Sequence, residues 1–210
     1  AANVWAPLGL DETPDAQTAS IIRLHHRRPA DCVDRGGVAA WRTRHKTRMK
    51  ACSMDSESSA GRVFVRGDRA RPFLERHPWV KAASIERIEG NPEDGQVVDL
   101  VGKGGRVIAR GIYEGHGGIR VRLYSWNPQQ PLDASFWRER IRQALALRET
   151  LGRMRPAEAS RLVFSEADGL SGLIVDRYRD YVVIQVGSVG IAQRVPILSA
   201  TLGDFVRPAA

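Results

Sequence analysis

Cysteine is scarce in this sequence, and its placement excludes more than its number does. Cys32 and Cys52 are the two present, and none follows position 52. They form no CxxC pair, and the histidines do not stand at ligand spacing from them. A disulfide framework and a metal site are therefore not expected. A reducing, cytoplasmic setting fits this usage. Long apolar runs are lacking too, so no segment is suited to span a bilayer and no membrane partner is expected. Residues 1–20 have no basic segment followed by an apolar one, which argues against a secretory signal. Nucleotide-loop patterns are also missing. Gly102-Lys103-Gly104-Gly105 lacks the spacing and the Ser or Thr of a P-loop. Gly115-His116-Gly117-Gly118 does not lead into a helical pattern, as a dinucleotide site requires.

What the chain does have is positive charge. Its 210 residues include 32 basic against 24 acidic side chains, a formal net charge of +8, and most of the basic ones are Arg. Such a balance favours a polyanionic partner, and Arg suits both phosphate forks and stacking on bases. Charge alone does not separate an RNA binder from a basic protein that binds no nucleic acid.

Three stretches differ in character. Residues 1–60 mix Pro, Asp, Thr, Arg and Ser without a sustained period and are expected to be a mostly disordered extension. Their basic run, Arg42 to Lys50, reads as a solvated tail or an RNA-touching arm. Regular pattern begins near Gly61. Residues 62–65 read as a strand, and Asp68 can cap a helix through Arg76 that Pro78 ends. Trp79 is expected to fill the core behind it. Short strands follow at 83–89, 96–101, 106–113 and 119–126, with Gly102 to Gly105 as a hairpin turn. That spacing suggests a small barrel-like β domain.

A Pro-rich break at 127–131 marks a boundary. Beyond it, Asp133 or Ser135 caps a helix to Leu151, with Trp137, Ile141, Ala144, Leu145 and Leu151 on one side. Residues 161–165, 172–178 and 181–186 read as three antiparallel strands. Ser188 caps a last helix that Pro196 either starts or kinks. The fold class is α+β.

Residues 119–126 are the most informative stretch for function. Side chains alternate across a strand, so Ile119, Val121 and Leu123 share one face while Arg120, Arg122, Tyr124 and Trp126 share the other. Two guanidinium groups and two rings on one exposed face match what unpaired RNA requires. The other reading is a solvent face with Tyr and Trp packed under a neighbouring helix. Elsewhere, Arg138, Arg140, Arg142 and Arg148 decorate the post-boundary helix as a solvated or a phosphate-tracking face. Glu166 and Asp168 resemble an acid pair, but an Asp-Gly turn explains them conformationally.

The run R-L-V-F-S-E-A-D-G-L-S-G-L-I-V-D-R-Y, Arg161 to Tyr178, resembles a signature of bacterial large-subunit ribosomal RNA (cytosine-C5) methyltransferases. Leu74-Glu75-Arg76-His77-Pro78-Trp79-Val80, Ala109-Arg110-Gly111-Ile112-Tyr113 and Ile119-Arg120-Val121-Arg122 are similar to earlier elements of that family, in order. The resemblance spans about residues 61–205. It implies a PUA-like RNA-binding pseudobarrel over 61–130 and a central α/β hairpin domain over 131–210. A Rossmann-like S-adenosylmethionine-dependent domain is implied downstream. It also implies 23S ribosomal RNA as partner, with a homodimer in the full-length family. The expected RNA-binding residues are Arg76, Arg110, Arg120, Arg122, Tyr124 and Trp126.

The departures concern catalysis. The family's cofactor loop and Asp-Pro-Pro type motif are absent, and cytosine C5 methylation normally needs a Cys thiolate to add at C6. The expectation is an RNA-binding front portion, cut before the catalytic domain, with no cofactor or catalytic residue of its own. The alternatives are a stand-alone PUA-type RNA-binding protein and a protein-interaction module.

Overall fold

The computed structural model describes residues 18–23, 59–155, 158–179 and 181–205. The basic run at 42–50 and both cysteines lie outside them. The strands are β1 (Thr18–Arg23), β2 (Gly61–Val65), β3 (Trp79–Lys81), β4 (Ile85–Glu89), β5 (Val97–Val101), β6 (Val107–Tyr113), β7 (Ile119–Ser125), β8 (Ser160–Phe164), β9 (Leu173–Tyr178) and β10 (Tyr181–Val186). The α-helices are α1 (Arg71–Leu74), α2 (Ala134–Thr150) and α3 (Val189–Phe205). The fold is α+β, as the sequence suggests. One correction falls in the extension: Thr18–Arg23 is a strand, paired antiparallel with β10.

The strands form two sheets. The first has the order β3-β7-β6-β5-β2-β4 and the second β1-β10-β9-β8. In the first, β2 and β5 pair in parallel and the other neighbours are antiparallel. Four of its pairings carry a register shift. Such irregularities bend strands and increase twist, and here they curl the sheet into a half-barrel.

The helix after β2 is shorter than expected. Gly67–Arg69 forms a 3-10 turn, and α1 starts only at Arg71, with Pro72 in its first turn where the missing N–H is harmless. It ends because Arg76 turns left-handed, with φ 69°, and the His77 amide donates to the Pro72 carbonyl at 2.9 Å.

Asp133 caps α2, accepting from the Phe136 amide at 3.0 Å and the Ser135 hydroxyl at 2.7 Å. Those two hydrogen bonds hold its carboxyl below the usual range. Phe136, Trp137, Ile141, Ala144 and Leu145 form the buried side of α2. Leu151, expected among them, is exposed because the helix has already ended. The helix α3 runs through Pro196 rather than starting there. Pro196 sits on its exposed side, where a carbonyl left without its usual donor is accessible to water.

There are two cores. Val63, Val65, Phe73, Val80, Val98, Leu100, Val121 and Leu123 fill the half-barrel. The second core lies between α2, α3 and the four-stranded sheet, and it also takes in Val97, Ile112 and Tyr124. Those three come from the other face of the first sheet, so that face is packed against the second unit. The contact is close. A Cβ on Gly190 of α3 would stand 2.5 Å from Ile112 Cγ2, so only glycine lets the helix approach β6 this far.

Candidate nucleic-acid interface

The seam between the two units corrects the most specific expectation from sequence. The β7 face bearing Arg122 and Tyr124 is not open to solvent. Tyr124 is 1% exposed, its hydroxyl donates to the Ser171 carbonyl at 2.7 Å, and its ring meets Trp137 edge-on at 5.0 Å. Burial pushes its phenol well above the ordinary range.

Arg122 points into the seam. Its guanidinium donates to Ser171 Oγ at 3.1 Å and to the Gly187 carbonyl at 3.3 Å. It lies 3.5 Å from Glu114 and 3.6 Å from Glu166, as ion pairs. Trp126 is half-buried against the barrel core, with its indole N–H donating to the Phe73 carbonyl at 2.7 Å. Arg110 pairs with Asp99 at 2.9 Å and donates to the Gln130 carbonyl at 3.3 Å, tying β6 to the linker. Arg122 and Tyr124 are taken up by the second unit, Arg110 and Trp126 by the half-barrel itself and the linker. Rings and guanidinium groups that suit RNA also suit protein partners, and only tertiary packing decides which they meet.

Arg76 and Arg120 differ. Arg76 is exposed and Arg120 half-exposed, and neither has an ion-pair partner among the described residues.

Several seam residues were not legible as such. Trp79, expected in the core, is 36% exposed at the sheet edge. It pairs with Arg122 in register, and its indole N–H donates to Glu166 at 2.8 Å and Ser171 at 3.3 Å. Glu166 also accepts from Ser171 Oγ at 2.7 Å. Glu114 accepts from the Val189 amide at 2.8 Å, where α3 begins. The S-E-A-D-G-L-S-G run is thus a latch. Glu166 faces the half-barrel while Asp168 faces α2, held bidentately by Arg148 at 2.5 and 2.7 Å. The two acids are not a catalytic pair. Trp79 shares a face with Arg122 only through the β3–β7 register, which alternation along either strand does not fix.

Burial works against the charge on Glu166, but hydrogen bonds from Ser165, Ser171 and Trp79 outweigh it and hold its carboxyl below the ordinary 4.5. A depressed folded-state value contributes stability above the unfolded value and loses it as pH falls through the folded one. Unfolding midpoints should therefore fall more steeply below about pH 4.5 for the parent than for Glu166→Gln. Parallel curves for the two would contradict the latch.

Among the described residues, no three His, Cys, Asp or Glu side chains cluster as a metal requires. No described helix is long and apolar enough to cross a membrane. A cleft of about 650 Å³ is lined by Phe64, Asp68, Glu86, Arg87 and the Gly102 to Gly105 turn, away from the seam.

Comparison with known proteins narrows the reading. Residues 63–126 match the family model of the PUA-like domain. The half-barrel is PUA-like. Ribosomal RNA large subunit methyltransferase I of Aeromonas salmonicida is 36% identical over 128 residues, covering 61% of this chain and 32% of that protein. The protein of the same name from Tolumonas auensis is 38% identical over 128 residues, with the same coverage. That from Escherichia coli O1:K1 is 34% identical over 140 residues, 66% of this chain and 35% of that protein. The chain thus spans about a third of the length of these relatives. Among solved structures, a putative methyltransferase complexed with SAH superposes with a TM-score of 0.55 at 17% identity. That match covers 68% of this chain and 37% of that one. A putative SAM-dependent methyltransferase from Streptococcus mutans gives the same TM-score at 16% identity and the same coverage, and both likenesses are of fold.

The described residues do not fit S-adenosylmethionine. Its usual site needs a glycine-rich loop leading from a strand into a helix. Here Gly102 to Gly105 and Gly115 to Gly118 each join antiparallel strands. The β2–β5 pair is parallel, but no helix opens from a glycine-rich turn between them.

Proposed function

We propose that this chain is the RNA-binding part of a methyltransferase acting on cytosine C5 of 23S ribosomal RNA in the cytoplasm. Residues 61–130 serve as the PUA-like RNA-binding unit and 131–210 as the central unit locked to it. The nucleophile that adds at C6, the cofactor loop and the rest of the methyl-transfer apparatus belong to residues other than those described. The observation that carries the reading is the PUA-like match at 63–126, in a chain 34–38% identical to ribosomal RNA large subunit methyltransferase I over most of its length.

Within this reading Arg76 and Arg120 contact phosphates directly. Arg110, Arg122, Tyr124 and Trp126 act from beneath, holding the strands and the seam that present them. Titration of the whole chain with 23S rRNA fragments across salt tests this. Affinity is expected to fall steeply with salt, and Arg120→Ala to flatten the log–log slope by about one without unfolding the protein. Absence of binding at low salt would remove the proposal, and an unchanged slope would remove Arg120 from it.

A further inference from the structure

Matching cations to carboxylates on α2 and at the end of α1 leaves two arginines over. On α2, Arg138 pairs with Asp204 at 2.9 Å, Arg142 with Glu139 at 2.7 Å and Arg148 with Asp168 at 2.5 Å. Arg140 has no carboxylate partner among the described residues. On α1, Arg71 pairs with Glu75 at 2.9 Å, while Arg76, just beyond it, pairs with none. The carboxylates nearby are engaged: Glu139 accepts from Arg142 and Gln143, and Glu166 from Trp79 and Ser171.

The Arg140 guanidinium and the Arg76 backbone lie at the same end of β7. Arg140 donates from one terminal nitrogen to the Tyr124 carbonyl at 3.1 Å, and its guanidinium carbon lies 5.2 Å from the Phe136 ring centre. The other terminal nitrogen passes 3.3 Å from where a Cβ on Gly169 would be. That residue is left-handed at φ 68°, so the turn admits the guanidinium because it bears no side chain. The Arg76 amide donates to the Phe73 carbonyl, which the Trp126 indole also reaches. Burial, and then the like charge of Arg76, hold the Arg140 guanidinium below its ordinary value. Glu139 offsets part of this, but its carboxylate is taken up by Arg142 and Gln143, so neither Arg76 nor Arg140 has an ion-pair partner of its own among the described residues.

We propose that Arg76 and Arg140, one from each unit, form a two-armed site for a single phosphate group of the RNA backbone. A phosphate between them relieves the repulsion and takes charge-assisted hydrogen bonds from both arms. Because the arms belong to different units, the site exists only while the seam is closed. It deepens the RNA-binding reading above and depends on it only for the source of the phosphate. Arg140 thereby joins Arg76 as a contact that the sequence left as one arginine among several on a helix.

The test uses the whole chain with two probes, inorganic phosphate and a 23S rRNA fragment. At constant ionic strength, phosphate in place of chloride is expected to raise the unfolding midpoint of the parent. Arg76→Gln and Arg140→Gln should each abolish most of that rise. Arg76 is exposed, so its variant carries the test even if Arg140→Gln folds poorly. In RNA titrations the double variant should lower the salt slope by about 0.7–0.9 in total, the contribution of one phosphate. A drop of about twice that value means two separate contacts and overturns the shared site. Equal phosphate shifts in parent and variants overturn it as well. RNA binding that both variants leave untouched sinks the site and spares the RNA reading. An arginine-dependent phosphate shift without RNA binding does the reverse, leaving a site for a free phosphate-bearing ligand.

Discussion

Replacing Arg122 with alanine is expected to destabilise the protein by about 3–5 kcal/mol, the usual consequence of removing one partner from a buried ionic cluster. The Arg122 side chain is 13% exposed and stands between Glu114, 11% exposed, and Glu166. Without it, the Glu114 carboxylate is left largely buried and uncompensated, Glu166, 30% exposed, loses its neighbouring cation, and Ser171 and the Gly187 carbonyl lose their donor. Adding Glu114→Gln should restore part of the loss, because it removes one of the uncompensated charges. Denaturant unfolding measures both. A change within about 0.5 kcal/mol for Arg122→Ala, the range of ordinary surface substitutions, would mean that the seam is hydrated and that β7 offers its arginine face to solvent.

Asp168→Ala should cost a similar amount, about 3–5 kcal/mol, for a different reason. The Asp168 side chain is 3% exposed. It accepts both arms of Arg148 as well as the Phe164 amide at 2.5 Å, so one carboxylate joins α2, β8 and the turn that carries Glu166. Arg148 would keep its bonds to the Ala144 and Arg161 carbonyls but lose its counter-charge. Asp168→Asn keeps the shape and can still accept the Phe164 amide, so its loss should be smaller. Equal midpoints for Asp168→Asn and Asp168→Ala would show that charge, rather than packing and turn geometry, accounts for the whole effect.

The two variants probe separate matters. Asp168 acts inside the second unit, whereas Arg122 acts between units. If the RNA-binding proposal is sound, Arg122→Ala weakens RNA affinity indirectly, by letting the seam that places Arg76 and Arg140 together drift open. Arg120→Ala weakens it directly and leaves the unfolding midpoint alone. The pairing of a stability measurement with a salt titration therefore tells support from contact.

Local patterns in the chain sufficed for much of the architecture. Alternation and turn residues located eight of the nine described strands after residue 60 within a residue or two, β3 being the one missed, because a half-buried strand must repeat every second position. A cap at Asp133 or Ser135 and the 137, 141, 144/145 spacing specified α2, because its cap and apolar face lie within its own sequence. What the sequence could not determine was which surface of β7 stays open. Arg120 and Arg122 are two residues apart on one strand and identical in chemistry. Both are half-buried, but Arg120 has no ion-pair partner among the described residues, whereas Arg122 is enclosed by Glu114, Glu166 and Ser171, which lie elsewhere in the chain. Burial depends on the sum of distant neighbours, and those neighbours are set by how α2, α3 and the Glu166 turn dock. The same holds for Trp79, a plausible core residue by composition that became a seam donor, and for Arg140, set apart from its helical neighbours only by having no acid opposite it. Periodicity encodes faces; only tertiary packing assigns each face to water, to core or to a partner.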